Sequence, residues 1–263
     1  MPSKGRVAAF YGVPGVGSTT LLSNIAAIAC RTYASNVAIL DLTEPRGDVA
    51  VRFNLDITPG PVSLCNASER VENIRSRFHR AHTRDIQVIF NYRESAVEDC
   101  LWPLREEFRL VLIDLTGQPE DVAFRIAGSA TRLCIVVSED AARIRQSGIL
   151  LDRVRGADNT GLHKKLLLIA NETSSVKTQF SPYHIQEFLK QGFHHHVNYC
   201  KHVAESANSG YPFLLNTHSQ GSGYHFDVSP IAAKLLGVKP KSPTPNLPDP
   251  QANVMALKRA KAG

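Results

Sequence analysis

The stretch Gly12-Val13-Pro14-Gly15-Val16-Gly17-Ser18-Thr19-Thr20 constrains this chain more than any other segment. It follows the apolar run at residues 7–11 and precedes residues 21–33, an alanine-rich segment whose composition predicts a helix. A glycine-rich turn between a buried strand and a helix lets backbone N–H groups curl around a phosphate while the helix points its positive end at it. Loops of this kind usually add a lysine as a mobile charge, and here its position holds Ser18. The loop therefore singles out Gly12, Gly15, Val16, Gly17, Ser18, Thr19 and Thr20 as candidate phosphate-binding residues, with Thr19 at the hydroxyl position that usually holds Mg²⁺.

The rest of the chain repeats the alternation that the loop begins. Short apolar, β-branched runs at residues 37–40, 86–90, 110–113, 133–137 and 166–170 are separated by amphipathic stretches. That pattern predicts an α/β fold, a mainly parallel twisted sheet flanked by helices. Helices are expected at residues 68–79, 96–107, 141–154 and 182–190, with Ser181-Pro182 as a start signal for the last. Ser229-Pro230 reads as the start of a further short helix ending near Gly237, and Trp102, before Pro103, is expected to pack a helix against the sheet. A proline-rich run at residues 239–251 cannot sustain helix or sheet, so the domain is expected to span residues 1–238. Residues 252–263 form a basic tail in which a disordered segment and a short partner-binding or membrane-surface helix both remain open.

Composition narrows the class. With 263 residues and 43% hydrophobic content the chain can bury a core without disulfides or metals. Its five cysteines are dispersed, which suggests a reducing compartment, and the beginning of the sequence carries no signal-peptide pattern. A cytoplasmic protein, polar or peripheral to a membrane at most, is the expectation. The net charge of +6 admits DNA or an anionic surface as a partner. Arginines gather at positions 70, 75, 77, 80 and 84, and at 143, 145, 153 and 155, both groups on expected helices. A solvated helix face and a binding stripe are the two readings of that pattern. His194-His195-His196 with Cys200 and His202 invites a metal site, against the plainer reading of an edge strand and its loop. Without a Gly-x-Ser-x-Gly elbow, a hydrolase triad has no local support.

Two further segments concern the loop's chemistry. Leu110-Val111-Leu112-Ile113-Asp114 has the pattern of a Walker B strand, with Asp114 placed to hold a metal-bound water or, in the plainer reading, to cap the next turn. Residues 37–48 end a strand at Asp41 and continue through Thr43, Glu44, Gly47 and Asp48. Together these three elements resemble the MinD/ParA family of deviant Walker-motif ATPases, and so imply its P-loop NTPase fold. Gly15-Val16-Gly17-Ser18-Thr19-Thr20-Leu21 with Asp41-Leu42 and Gly47-Asp48-Val49-Ala50 looks more narrowly like the CpaE/TadZ pilus-assembly branch. The resemblance runs from about Arg6 to Gly237 and includes Asn171 at a strand end and the segment Ala207 to Gly210.

The resemblance implies ATP and Mg²⁺ as ligands, a homodimer formed around nucleotide, and pilus or secretion assembly proteins as partners. A ParA-like partition or conjugation factor that binds DNA non-specifically and a nucleotide-independent scaffold are the alternatives. It also implies that Asn171 reads the adenine edge, an assignment that competes with turn capping. Two family lysines that contact phosphate are replaced by Val13 and Ser18, and the second carboxylate of the pair headed by Asp41 is replaced by Thr43. Losing one preorganised contact to a transferring phosphoryl group costs about 2.7–4 kcal/mol of transition-state stabilisation, by analogy with oxyanion-hole donors. Slow or absent hydrolysis follows, with Asp41 and Asp114 as the candidate catalytic carboxylates and Thr19 with Asp114 as the indirect metal site. Because CpaE/TadZ proteins carry a receiver-like domain ahead of the ATPase-like one, and the first strand here begins by Arg6, that domain is expected to be absent.

Overall fold

The computed structural model describes residues 5–43, 47–56, 79–83, 85–90, 97–157, 161–176 and 180–241. Strand β1 (Arg6–Tyr11) runs through the glycine loop into α1 (Ser18–Tyr33), followed by β2 (Val37–Asp41) and a short α2 (Asp48–Arg52). Next come β3 (His79–Arg80), β4 (Ile86–Ile89), α3 (Val97–Glu107), β5 (Leu110–Asp114), α4 (Glu120–Ser129) and β6 (Arg132–Val137). The chain continues through α5 (Ala141–Gly156), α6 (Leu162–Lys165), β7 (Leu166–Asn171), α7 (Pro182–Leu189), β8 (His195–Val197), α8 (Lys201–Asn208) and α9 (Gly223–Leu236).

The strands form one sheet in the order β3-β4-β2-β5-β1-β6-β7-β8, parallel throughout except for β3. Strands covered on both faces read as near-continuous apolar runs, and β2 and β5, apolar up to their terminal aspartates, are buried along their whole length. Successive side chains divide between two cores: Ala8 and Phe10 lie in the one beneath α1 and α9, Val7 and Ala9 in the one beneath α3, α4 and α5. Strand order reverses at β1, with β5 on one side and β6 on the other. In an open α/β sheet that reversal leaves a crevice beyond the carboxyl ends of the strands, and the glycine loop sits in it.

Several expectations need correction. Ser229-Pro230 does not open a helix: α9 begins at Gly223, where the Ser222 hydroxyl accepts a hydrogen bond from the His225 amide, and Pro230 lies inside it. A proline there forfeits a bond and crowds the preceding turn, but Tyr224, Val228, Ile231, Ala232 and Leu235 all bury in the core shared with α1, and that packing prevails. Trp102 is not a packing anchor; it is 57% exposed, while Val97, Cys100, Leu101 and Leu104 form the buried face of α3. Arg80 is on the antiparallel strand β3, not on a helix, and so is His79. The rest of the helix expected at 68–79, with Arg70, Arg75 and Arg77, lies outside the described residues, as do Arg84, Glu44 and the tail from residue 242. The 239–251 segment starts in contact with the domain, since the Lys241 ammonium donates to the Thr32 carbonyl at 3.0 Å.

Candidate nucleotide site

Backbone conformation makes the loop. Gly15 and Gly17 adopt φ of +85° and +83°, in the left-handed region open to glycine, and Gly17 is the residue from which α1 starts. Among the described residues no side chain caps α1, and its first turn carries no acidic residue. The leading amides of Ser18, Thr19 and Thr20 therefore have no side-chain cap among the described residues and are free to donate to a ligand. An uncapped start on a buried helix suits an anion, and the dipole of α1 adds to that. The Ser18 hydroxyl, at the loop position where a lysine is usual, is buried and has no hydrogen-bond partner among the described residues.

Asn171, at the end of β7, is drawn to the same place. Its Nδ2 donates to the Val16 carbonyl at 2.8 Å, and a Cβ on Gly17 would come within 2.5 Å of that nitrogen. The amide group thus holds the loop in shape, which neither the base-reading nor the turn-capping assignment anticipated. Its Oδ1 accepts no hydrogen bond among the described residues and so remains open to a donor such as an exocyclic amine. Beside it lies a cavity of about 300 Å³, lined by Gly17, Thr20, Arg52, Asn171, Tyr199 and Cys200 among others. A larger cavity of about 420 Å³ shares Asn171, Glu172 and Tyr199 with it but touches no loop residue.

The two carboxylates lie on adjacent strands in register, Asp41 opposite Asp114. Asp41 is fully engaged: Oδ1 accepts from the Thr43 amide at 3.1 Å and hydroxyl at 2.7 Å, and Oδ2 from the Val49 amide at 2.9 Å. Thr43, in place of the second carboxylate, also accepts from the Asp48 amide at 3.3 Å. Asp41 thus ties the end of β2 to the start of α2. Burial, with Asp114 alongside, pushes its pKa up to about 6 against those hydrogen bonds.

Asp114 differs. Its Oδ1 accepts from the Thr116 amide and hydroxyl at 3.0 and 2.6 Å, the turn-capping contact, but Oδ2 is sealed from solvent without a properly formed hydrogen bond. Burial raises its pKa; Thr116 and the neighbouring Thr19 hydroxyl oppose that rise, and the charge of Asp48 adds to it. A carboxylate oxygen without a hydrogen bond among the described residues, beside a threonine hydroxyl at the foot of the glycine loop, is hard-oxygen chemistry of the kind Mg²⁺ takes. The donors therefore fit Mg²⁺, with Thr19 and Asp114 holding it directly or through water.

Other candidates disperse. His194 accepts from the Leu168 amide through Nδ1, and His196 pairs with Glu172 at 3.1 Å; among the described residues no group of three metal-ligating side chains forms. The arginines of α5 do not form a free stripe, since Arg153 pairs with Glu120, and Arg155 pairs with Asp152 and donates to the Leu189 carbonyl. The segment at Ala207 to Gly210 braces α2: the Arg52 guanidinium donates to the Ala207 carbonyl at 3.1 Å, and Gly210 packs on Asn54. Asp48 and Thr116 were passed over as site residues. Gly47-Asp48 after the second strand and Thr116 two residues beyond Asp114 were the available signals.

This fold is that of the MinD/ParA-type P-loop NTPases. No protein-family description matches the sequence, and no curated protein does. Among solved structures, a ParA family ATPase from Chlorobium tepidum superposes with a TM-score of 0.73 at 15% identity, covering 88% of this chain and 99% of its own. MinD from Pyrococcus horikoshii, complexed with Mg-ADP, gives 0.67 at 13% identity over 87% and 95% of the two chains. McdA from Cyanothece, complexed with ATP, gives 0.69 at 14% identity over 91% and 99%.

Proposed function

We propose that this chain binds Mg²⁺·ATP and works as a nucleotide-dependent localisation or assembly factor of the MinD/ParA kind, with slow or absent hydrolysis. The observation that carries the reading is the uncapped start of α1, preceded by two glycines at positive φ and standing beside the orphaned Asp114 oxygen. Loop amides and the α1 dipole would hold the phosphates, Thr19 and Asp114 the metal ion, and the cavity beside Asn171 the nucleoside. The neighbours with Mg-ADP and with ATP support that choice of ligand. Bound Mg²⁺ would supply charge neutralisation at the β- and γ-phosphates.

Weak turnover follows from the side chains. Val13 and Ser18 bring no charge to the loop, and Asp41 has both oxygens engaged by Thr43 and Val49. A protein that binds a triphosphate and hydrolyses it slowly can act as a switch whose bound form recruits partners. Residues 15–21 and 47–50 support the finer assignment to a homodimer serving a pilus or secretion assembly. The DNA-binding alternative is weakened by the pairing of Arg153 and Arg155.

Isothermal titration with Mg²⁺·ATP tests the reading, with saturable heat and a thermal upshift expected. No heat and no shift at millimolar nucleotide would leave the nucleotide-independent scaffold. For hydrolysis, Ser18→Lys should release phosphate faster than the wild type; equal rates would contradict the account of the missing lysine.

A further inference from the structure

The loop lacks its own cation, yet a guanidinium lies against it. At Gly15 a Cβ would meet Arg143 Nη2 at 2.7 Å, Cζ at 3.0 Å and Nε at 3.4 Å, so the Arg143 head group occupies the space that a side chain on Gly15 would need. Gly15 thus serves the loop twice, by its φ of +85° and by leaving room for this contact. Arg143 arrives from the first turn of α5, more than a hundred residues later in the sequence, where the strand reversal brings α5 beside the loop.

Its charge is uncompensated. Asp140 Oδ1 caps α5 by accepting from the Arg143 backbone amide at 3.0 Å. Glu139 is held by the Thr173 and Ser174 amides at 2.8–3.1 Å. Among the described residues the Arg143 guanidinium makes no hydrogen bond or ion pair, unlike Arg153 and Arg155 farther along α5. A partly buried guanidinium without an acceptor, laid on a loop of amides without a lysine, matches a multiply charged oxyanion, which it can engage through paired N–H donors.

We infer that Arg143 is the phosphate-binding cation of this site, supplying from α5 the charge that Ser18 and Val13 do not. The inference rests on the nucleotide-binding reading and specifies it: the recognised group is the polyphosphate, and affinity should rise with the number of phosphates. A guanidinium entering from outside the loop binds as a clamp, not as a lysine moving with the phosphoryl group, in keeping with a site that holds nucleotide better than it turns it over.

The test is titration of wild type, Arg143→Ala, Arg143→Lys and Arg145→Ala with ATP, ADP, adenosine and inorganic tripolyphosphate, each with Mg²⁺. Arg145 is an exposed neighbour on the same helix and controls for net charge. We expect Arg143→Ala to weaken ATP and tripolyphosphate by about 10- to 100-fold, ADP less and adenosine not at all. Arg143→Lys should retain part of the affinity, and Arg145→Ala should change it less than about 2-fold. Unfolding without ligand should be unchanged in Arg143→Ala; if that variant is unstable, Arg143→Gln replaces it. Equal ATP affinity in wild type and Arg143→Ala, or equal losses in Arg143→Ala and Arg145→Ala, would overturn the inference while leaving nucleotide binding intact. Arg143-dependent binding of tripolyphosphate without ATP binding would uphold Arg143 and sink the nucleotide reading; a wild type that binds neither would sink both.

Discussion

The loops that follow β1 and β2, the strands on either side of β5, are built on opposite terms. From β1 to α1 the Val16 carbonyl is bonded, but several polar groups have no partner among the described residues: the uncapped helix amides, the Ser18 hydroxyl and the Arg143 guanidinium beside Gly15. From β2 to α2 the described polar groups satisfy one another, through Asp41, Thr43 and the amides of Asp48 and Val49. A buried group without a partner in the chain calls for one from outside, a ligand, an ion or water, whereas satisfied groups stabilise the chain itself. Asp114 stands between the two, one oxygen in each condition. In this chain the carboxylate loop is mainly a brace, and the glycine loop is the one left for the proposed ligand.

The sharpest break of that comparison is Asp41→Ala. It strands the buried amides of Thr43 and Val49, and denaturant unfolding should show a loss of about 3–4 kcal/mol. A loss below about 1 kcal/mol would mean the brace is not one.

Next in size is the pH response. With its folded pKa raised from 3.8 to about 6, Asp41 keeps its proton over a range where the unfolded chain has lost it. Stability without ligand should therefore fall as pH rises from about 4 to 6, by up to about 3 kcal/mol, and level off above. Asp114, raised for the same reason, acts in the same direction. Urea melts across that range should show a shallower decline in Asp41→Asn; an unchanged slope would assign the effect elsewhere.

Gly17→Ala tests the open loop. A side chain at φ +83° that also meets Asn171 should cost about 1–2 kcal/mol in thermal unfolding and lower ATP affinity by at least about tenfold. Asn171→Ala should have the smallest effect, about 1 kcal/mol from the lost bond to Val16, with adenosine affinity reduced and tripolyphosphate affinity little changed. Equal losses for both ligands would make Asn171 a loop brace alone.

Much of the fold was legible because buried parallel strands write themselves as apolar runs: residues 37–40, 110–113 and 133–137 became β2, β5 and β6 within a residue or so. The loop was legible for a similar reason, since the glycines at 15 and 17 are where the backbone must take a left-handed turn. Trp102 and Pro230 misled because type and position alone do not say which face of a helix meets the core. α2, α4, α6 and α8 were not legible, and none of them starts from a side-chain cap. In the site, Asp114 and Thr19 could be read from motif spacing. The bond from Asn171 to Val16 and the guanidinium against Gly15 could not, as each joins residues more than a hundred positions apart.

Sequence alone determined the sheet, the glycine loop and the missing lysine, because each is a local matter of side-chain size, backbone freedom and residue identity. Only the tertiary structure decided which polar groups are left unpaired and which cation approaches the loop. Hydrogen bonds and charge depend on distance, and the strand order sets the distances between segments far apart along the chain.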